Sequence, residues 1–224
     1  MGRTIRAMAI PFAAVAIGAA WFARASTQGQ RTVNEVIEKY GARVRTEYEA
    51  RCKSKGIPWP PERLRLLAFK EERVLEVWAA GAAGGYRNLE SIPILGASGG
   101  PGPKRREGDC QVPEGDYGLT GLNPNSRFHL SIRVDYPSAD DVARSTIPAR
   151  EMGGDIFIHG GRASIGCIAV GDNRIEELFC LAALVKDRRI LIAPADLRRR
   201  SVSAEDPAVN ALYERLALRL AEFR

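Results

Sequence analysis

Two reactive side chains of scarce type stand eight positions apart in IFIHGGRASIGCIAVGD, residues 156–172: His159, one of two histidines in the chain, and Cys167, one of four cysteines. A thiol becomes a nucleophile by losing its proton, and an imidazole is the side chain best suited to take it near neutrality. Three glycines, Gly160, Gly161 and Gly166, lie between them. Bare backbone lets amide N–H groups approach a reacting carbonyl, and a tetrahedral oxyanion needs such preorganised donors. The amides around Gly166 and Cys167 are the candidates. The same spacing also suits a glycine-rich turn with a structural cysteine and a capping histidine, because a His–Cys pair carries no geometry of its own. Metal is a poorer fit. Zinc requires three or four ligands, the remaining cysteines lack CxxC spacing, and the other histidine, His129, is thirty positions upstream. No metal and no cofactor is expected.

The elements that must position this pair can be read from periodicity. Val33, Val36, Ile37, Tyr40, Val44 and Tyr48 recur at three and four, which predicts a helix over 31–55 ended by Gly56 and the Pro58–Pro61 cluster. It reads as a packing or spacer arm. Leu64–Phe69 and Val74–Trp78 are apolar runs around a charged turn, Lys70-Glu71-Glu72-Arg73. Residues 79–109 are rich in glycine and proline, with a weak strand near Ile92–Leu95. Tyr117–Leu119 and Phe128–Val134 read as strands, the second with Phe128, Leu130, Ile132 and Val134 on one face and His129, Ser131 and Arg133 on the other. Asp155–His159 is a short apolar strand ending at the histidine. Asn173–Val185 reads as a helix with Asp172 at its N-cap, Arg189–Ala193 as a last strand, and Pro207–Phe223 as an amphipathic helix. The fold class expected is α+β: a β-rich mixed sheet over 62–195, with a helical arm and Pro-rich linker at 26–61 and a C-terminal helix in 196–224.

Composition narrows the partners. The net charge of +6 divides into +6 in residues 1–55, −3 in 56–185, +4 in 186–200 and −1 in 201–224. The segment holding the candidate chemistry is thus slightly acidic and lacks a basic patch interleaved with aromatics, so nucleic acid is not an expected partner. Arg3 and Arg6 precede seventeen uncharged residues, Ala7–Ala23, and Ala23-Arg24-Ala25 follows. A basic start, an apolar stretch and small residues at −3 and −1 form an export signal over 1–25, and the run is also just long enough for an uncleaved membrane anchor. Either reading sends the rest of the chain to the periplasm or cell envelope. In that setting the cysteines could pair, Cys52 with Cys110 being the possible bridge, while Cys180 fits a small buried hydrophobe.

The segment FIHGGRASIGCIAVGD resembles the active-site region of the L,D-transpeptidase (YkuD-type) catalytic domain, in the branch with a short spacer between His-Gly and Ser-Ile-Gly-Cys. The resemblance continues upstream, in order, through LLAFKEERVLEVW, GPKRREGDCQVPEGDYGL and LNPNSRFHLSIRVDYPSADD. It covers roughly residues 62–195. It implies that Cys167 is the nucleophile, that His159 is its base and later its acid, and that the Gly160 carbonyl orients the imidazole. Ser164, Gly166 and the Cys167 amide would then lie along the oxyanion and substrate edge. Ile165 stands where the common pattern has a second histidine, which leaves open whether the acyl group passes to an amine or to water.

The resemblance implies a substrate: the stem peptide of peptidoglycan, attacked at the L-centre of its diamino acid with release of D-alanine. The acceptor would be an amine of another stem or of a wall-linked lipoprotein, or water in a carboxypeptidase or amidase. His129 and Ser131 would line the cleft if their strand face points into it, and Arg106 would offer a guanidinium fork to a stem carboxylate, against the plain reading of Lys104-Arg105-Arg106 as a solvated charge run. A wall-binding module with a structural cysteine is the alternative of another class.

Overall fold

The computed structural model describes residues 30–224. The export or anchor segment read at 1–25 lies outside the described residues. The first helix, α1 (Val33–Ser54), starts at a capping box: Thr32 Oγ1 accepts the Glu35 N–H and the Glu35 carboxylate accepts the Thr32 N–H. It ends at Gly56, whose φ of 68° allows the chain to reverse while the Ile57 N–H still reaches the Cys52 carbonyl.

Strands follow at β1 (Arg63–Phe69), β2 (Val74–Ala80), β3 (Arg87–Pro93), β4 (Gly115–Asn123) and β5 (Ser131–Val134), then a short helix α2 (Ala139–Ala143). The chain continues through β6 (Phe157–His159), β7 (Ile168–Ala169), α3 (Asp172–Leu184), β8 (Asp187–Ala193) and α4 (Pro207–Leu220). One eight-stranded sheet has the order β3-β2-β1-β8-β4-β5-β6-β7. The β1–β8 and β6–β7 pairs are parallel and the others antiparallel. This is a mixed-sheet α+β fold.

The sheet is covered on both faces where β1, β2 and β8 lie. Leu66, Val77 and Ile190 pack with α1 and α3 on one side, and Leu67, Trp78 and Leu191 pack with α4 on the other. That double burial is why LRLLAF reads as a nearly continuous apolar run rather than an alternating one. Strand β4 joins two halves of the sheet: Gly115–Gly118 pairs with β8, and Leu119–Asn123 pairs with β5 across a register shift between Leu119 and Gly121. A bulge bends a strand and increases its twist, and this one falls where β4 passes from β8 to β5.

Several expected elements are displaced. The third strand begins at Arg87, well before the predicted Ile92, because pairing with β2 supplies what a weak local pattern lacks. The strand predicted from Phe128 starts only at Ser131, since His129 takes φ 74°, a left-handed conformation that ends regular pairing. The helix read as an arm packs Val36, Val44, Tyr48 and Cys52 into the main core. It is tied to α3 by Arg43, which binds Glu176 at 2.6 Å and Glu177 at 3.2 Å. The four cysteines are unpaired: Cys52 is sealed in that core and Cys110 is exposed on a loop, so no bridge joins them. Among the described residues no helix is long and apolar enough to cross a membrane.

Candidate functional site

Strands β6 and β7 are parallel neighbours with His159 opposite Ala169, joined by a connection of only eight residues, 160–167. Parallel strands normally need a longer link. Here Gly161 and Gly166 take φ values of 68° and 85°, which tighten the turn without Cβ strain. Cys167 is the residue before β7, two positions from Ala169. Side chains alternate along a strand, so Cys167 shares the face of Ala169 and therefore of His159. The short link brings the backbone of Cys167 back beside the end of β6.

His159 is 2% exposed, and its Nδ1 lies 2.7 Å from the Gly160 carbonyl oxygen. A carbonyl only accepts, so Nδ1 carries the proton and Nε2 is the acceptor of the neutral ring. Burial lowers the His159 pKa below the usual imidazole value, with the Gly160 bond opposing. The ring of Phe128, 47% exposed, stacks on the imidazole with centroids 4.4 Å apart and planes 28° apart. Burial raises the Cys167 thiol above its ordinary value, offset by the Phe157 N–H and, more remotely, by Lys104, while Asp155 adds to the rise. The S–H points toward the Asp155 carbonyl at 3.6 Å. At neutral pH the site therefore rests as thiol and neutral imidazole, not as a preformed ion pair.

This has a consequence in solution. Alkylation of Cys167 by iodoacetamide is expected to be slower at pH 7 than that of an unhindered thiol. It should climb about tenfold per pH unit until the raised pKa is passed. A rate already level between pH 6 and 7 would mean a resting thiolate and would contradict the neutral pair.

The amides expected to receive an oxyanion are occupied. The Gly166 N–H donates to Ser98 Oγ at 2.6 Å, and the Cys167 N–H donates to Ser164 Oγ at 3.1 Å. Gly166 is thus not an open oxyanion donor in the resting site, and Ser164 meets the edge of the site by holding the Cys167 amide. Asp172 is not the N-cap of α3. That position is Gly171, and the Asp172 carboxylate instead accepts the Gly161 N–H at 2.8 Å, tying the start of the glycine loop to the first turn of the helix.

Of the residues read as lining a cleft, Ser131 is brought to the pair. It lies directly opposite His159 in the β5–β6 ladder, on the same face, and is 3% exposed. His129 is not. Its left-handed backbone turns the ring away from the Ser131 face, to a 2.8 Å contact with Glu176 and an edge contact with Tyr40. Arg106 is exposed and lines a surface cavity with Arg144 and Met152, and its side chain has no ion pair among the described residues. Lys104 is not solvated: it is 8% exposed and bonded to Asp109 and to the Arg106 carbonyl, each at 2.7 Å. Ser98 and Phe128 were missed by sequence reading. Nothing local marks a serine in a glycine-rich loop, and Phe128 was assigned to a buried strand face.

A family model for the L,D-transpeptidase catalytic domain (YkuD) matches residues 63–191, more than half of the chain. The chain belongs to this family. The general chemistry of L,D-transpeptidases is acyl transfer through a cysteine, on peptidoglycan stem peptides. Over 113 residues, half of its length, this L,D-transpeptidase-family chain is 39% identical to YafK of Escherichia coli (strain K12), itself assigned to the L,D-transpeptidases only provisionally. The match spans 44% of YafK, less than half of that relative. Among solved structures, the helical cell shape determining protein Pgp2 of Campylobacter jejuni is 23% identical, with a TM-score of 0.49 over 71% of this chain and 56% of that one. L,D-transpeptidase 1 of Mycobacterium tuberculosis is 16% identical, with a TM-score of 0.35 over 60% of this chain and 73% of that one.

Proposed function

We propose that this chain is an exported L,D-transpeptidase. It would move the acyl group at the L-centre of a stem-peptide diamino acid from D-alanine to an amine, through a thioester on Cys167. The observation that carries this reading is the pairing of His159 with Ala169, two residues after Cys167, with Nδ1 of the imidazole fixed by Gly160 and Nε2 left to accept a proton. In the first half-reaction Nε2 takes the thiol proton as sulfur attacks the carbonyl. The imidazolium then returns that proton to the nitrogen of D-alanine as the C–N bond breaks. In the second half-reaction an incoming amine gives its proton to Nε2, attacks the thioester, and expels the sulfur, which is reprotonated. The Cys167 amide can serve the oxyanion once Ser164 releases it. Arg106 is the candidate partner for a stem carboxylate.

Residues 1–25 are proposed to carry the chain out of the cytoplasm, as a cleaved signal or as an inner-membrane anchor. A wall-linked lipoprotein amine is one proposed acceptor.

Ile165 favours a second reading. It is 78% exposed in the link leading to the nucleophile, so the position where the common pattern has a histidine offers no polar ring to an incoming amine. Water would then take the acyl group, as in a carboxypeptidase or an amidase that frees a wall-linked protein. Digestion of purified sacculi by the wild type, with Cys167→Ala as control, separates the two. New cross-links mark transfer, and shortened stems or released protein mark hydrolysis. Sacculi bound equally by both proteins with no change in muropeptides would leave only a wall-binding module.

A further inference from the structure

We infer that Ser98 is a positioning residue for acyl transfer at Cys167, acting through the peptide of Gly166. This rests on the reading of Cys167 as nucleophile. The Ser98 hydroxyl makes two short bonds at once: it accepts the Gly166 N–H at 2.6 Å and donates to the Cys110 carbonyl at 2.7 Å. A hydroxyl used in both directions is fixed in its rotation, and so it fixes the amide that points at it.

The loop that carries Ser98 is pinned on both sides of it. Before it, Leu95 and Gly96 donate to the Ala169 carbonyl at 2.8 and 3.2 Å, and the Ala169 N–H returns to Gly96 at 2.8 Å. Gly96 must be glycine for this approach, because a Cβ there would stand 2.3 Å from the Arg162 carbonyl. After it, Lys70 reaches out from the β1–β2 turn to bind the carbonyls of Gly102 and Val112 at 2.9 and 3.0 Å and the buried Glu114 carboxylate at 3.0 Å. Ser98 therefore meets Gly166 as part of a rigid strap. Gly166, at φ 85° and without a side chain, has little else to hold it.

The consequence concerns direction of attack. A peptide free to rotate at Gly166 lets the Cys167 amide and sulfur drift relative to a bound carbonyl, which slows a reaction that needs both placed. It has little effect on one that needs only an accessible sulfur. The test measures both rates on Ser98→Ala and Ser98→Thr in the full chain, using meropenem as the acylating probe and iodoacetamide as the alkylating one. Hydrogen exchange across 164–168 serves as a third readout.

The expected result is acylation about tenfold slower in Ser98→Ala, alkylation within twofold of wild type, faster exchange at Gly166, and recovery of acylation in Ser98→Thr. Acylation in Ser98→Ala equal to or faster than wild type overturns the inference, because the Gly166 amide is then better left free. So does a fall in acylation accompanied by clearly faster alkylation, which is general loss of structure around a thiol that burial had slowed. If the wild type takes no meropenem, the catalytic reading fails. Exchange then decides: faster at Gly166 in Ser98→Ala upholds the positioning contact, and unchanged exchange overturns it.

Discussion

Cys167→Ala is expected to remain folded and to take up no acyl group, with turnover on stem peptide lowered by roughly three orders of magnitude or more. Removing a nucleophile leaves only what binding and amide donors supply. The partly exposed sulfur contributes little packing, so thermal stability should stay within about 1 kcal/mol of wild type. His159→Gln tests the other half of the pair. Glutamine keeps a hydrogen-bonding tip but cannot receive the thiol proton, and loss of a general base costs about 10²–10⁴-fold. Intact-mass measurement after exposure to meropenem gives a direct readout, with one adduct on the wild type, none on Cys167→Ala, and slow growth of the adduct on His159→Gln. An adduct that persists on the alanine variant would place the nucleophile elsewhere.

Gly160→Ala is expected to damage both fold and site. An added Cβ would lie 2.5 Å from the Phe128 carbonyl oxygen and 2.5 Å from Asp172 Oδ1. Neither can easily yield. The Phe128 carbonyl accepts the Leu130 N–H at 3.0 Å, and Asp172 holds the Gly161 amide. The peptide at 160 must move instead, and with it the carbonyl that fixes the imidazole. Overpacking of this kind costs about 1–3 kcal/mol. The acylation rate should fall by roughly ten- to a thousandfold, because the lost orientation acts on a proton transfer. Gly161→Ala is the comparison. Its φ of 68° makes alanine strained, by about 1 kcal/mol, but its Cβ meets only a Phe128 ring carbon at 3.8 Å. Thermal denaturation should show a loss in both variants, while the acylation rate falls steeply only in Gly160→Ala. Equal rates in the two would remove the Gly160 carbonyl from any role in orienting His159.

The Phe128 ring offers a smaller test of the same electrostatics. With the ring removed in Phe128→Ala, His159 gains water, and its lowered pKa should rise toward the ordinary value. The acid limb of the rate profile, where the imidazole becomes protonated and can no longer accept the thiol proton, should then move to higher pH. A profile that does not move would mean that the neighbouring strands, not Phe128, keep the imidazole dry.

The parts of this protein legible in the sequence were those written into near neighbours. Apolar residues at three and four spell out α1 and α4, and the runs before and after the charged turn spell out β1 and β2, because one buried face repeats with the period of its own element. His159 and Cys167 stood out because they are scarce and sit in a short glycine-rich segment. Strand β7 and its parallel register with β6 were not legible there, and the fold alone supplies them. The misreadings share one cause. His129 and Asp172 were placed by local rules, alternation along a strand and capping of a helix, yet contacts from residues distant in the chain prevail at both. Ser98 lies 68 positions from Gly166, Phe128 lies 31 from His159, and Lys104 is buried by a loop that closes on itself.

By itself, the order of amino acids determined which groups are the candidates for reaction: the Cys167 thiol, the His159 imidazole and the bare amides near them. The tertiary structure alone decided that both amides are already held by serine hydroxyls, that an aromatic ring stacks on the imidazole, and that burial pushes the thiol pKa up. A serine or phenylalanine carries no local mark of the partner it will meet. That partner is chosen by strand register and loop path, which are properties of the whole folded chain.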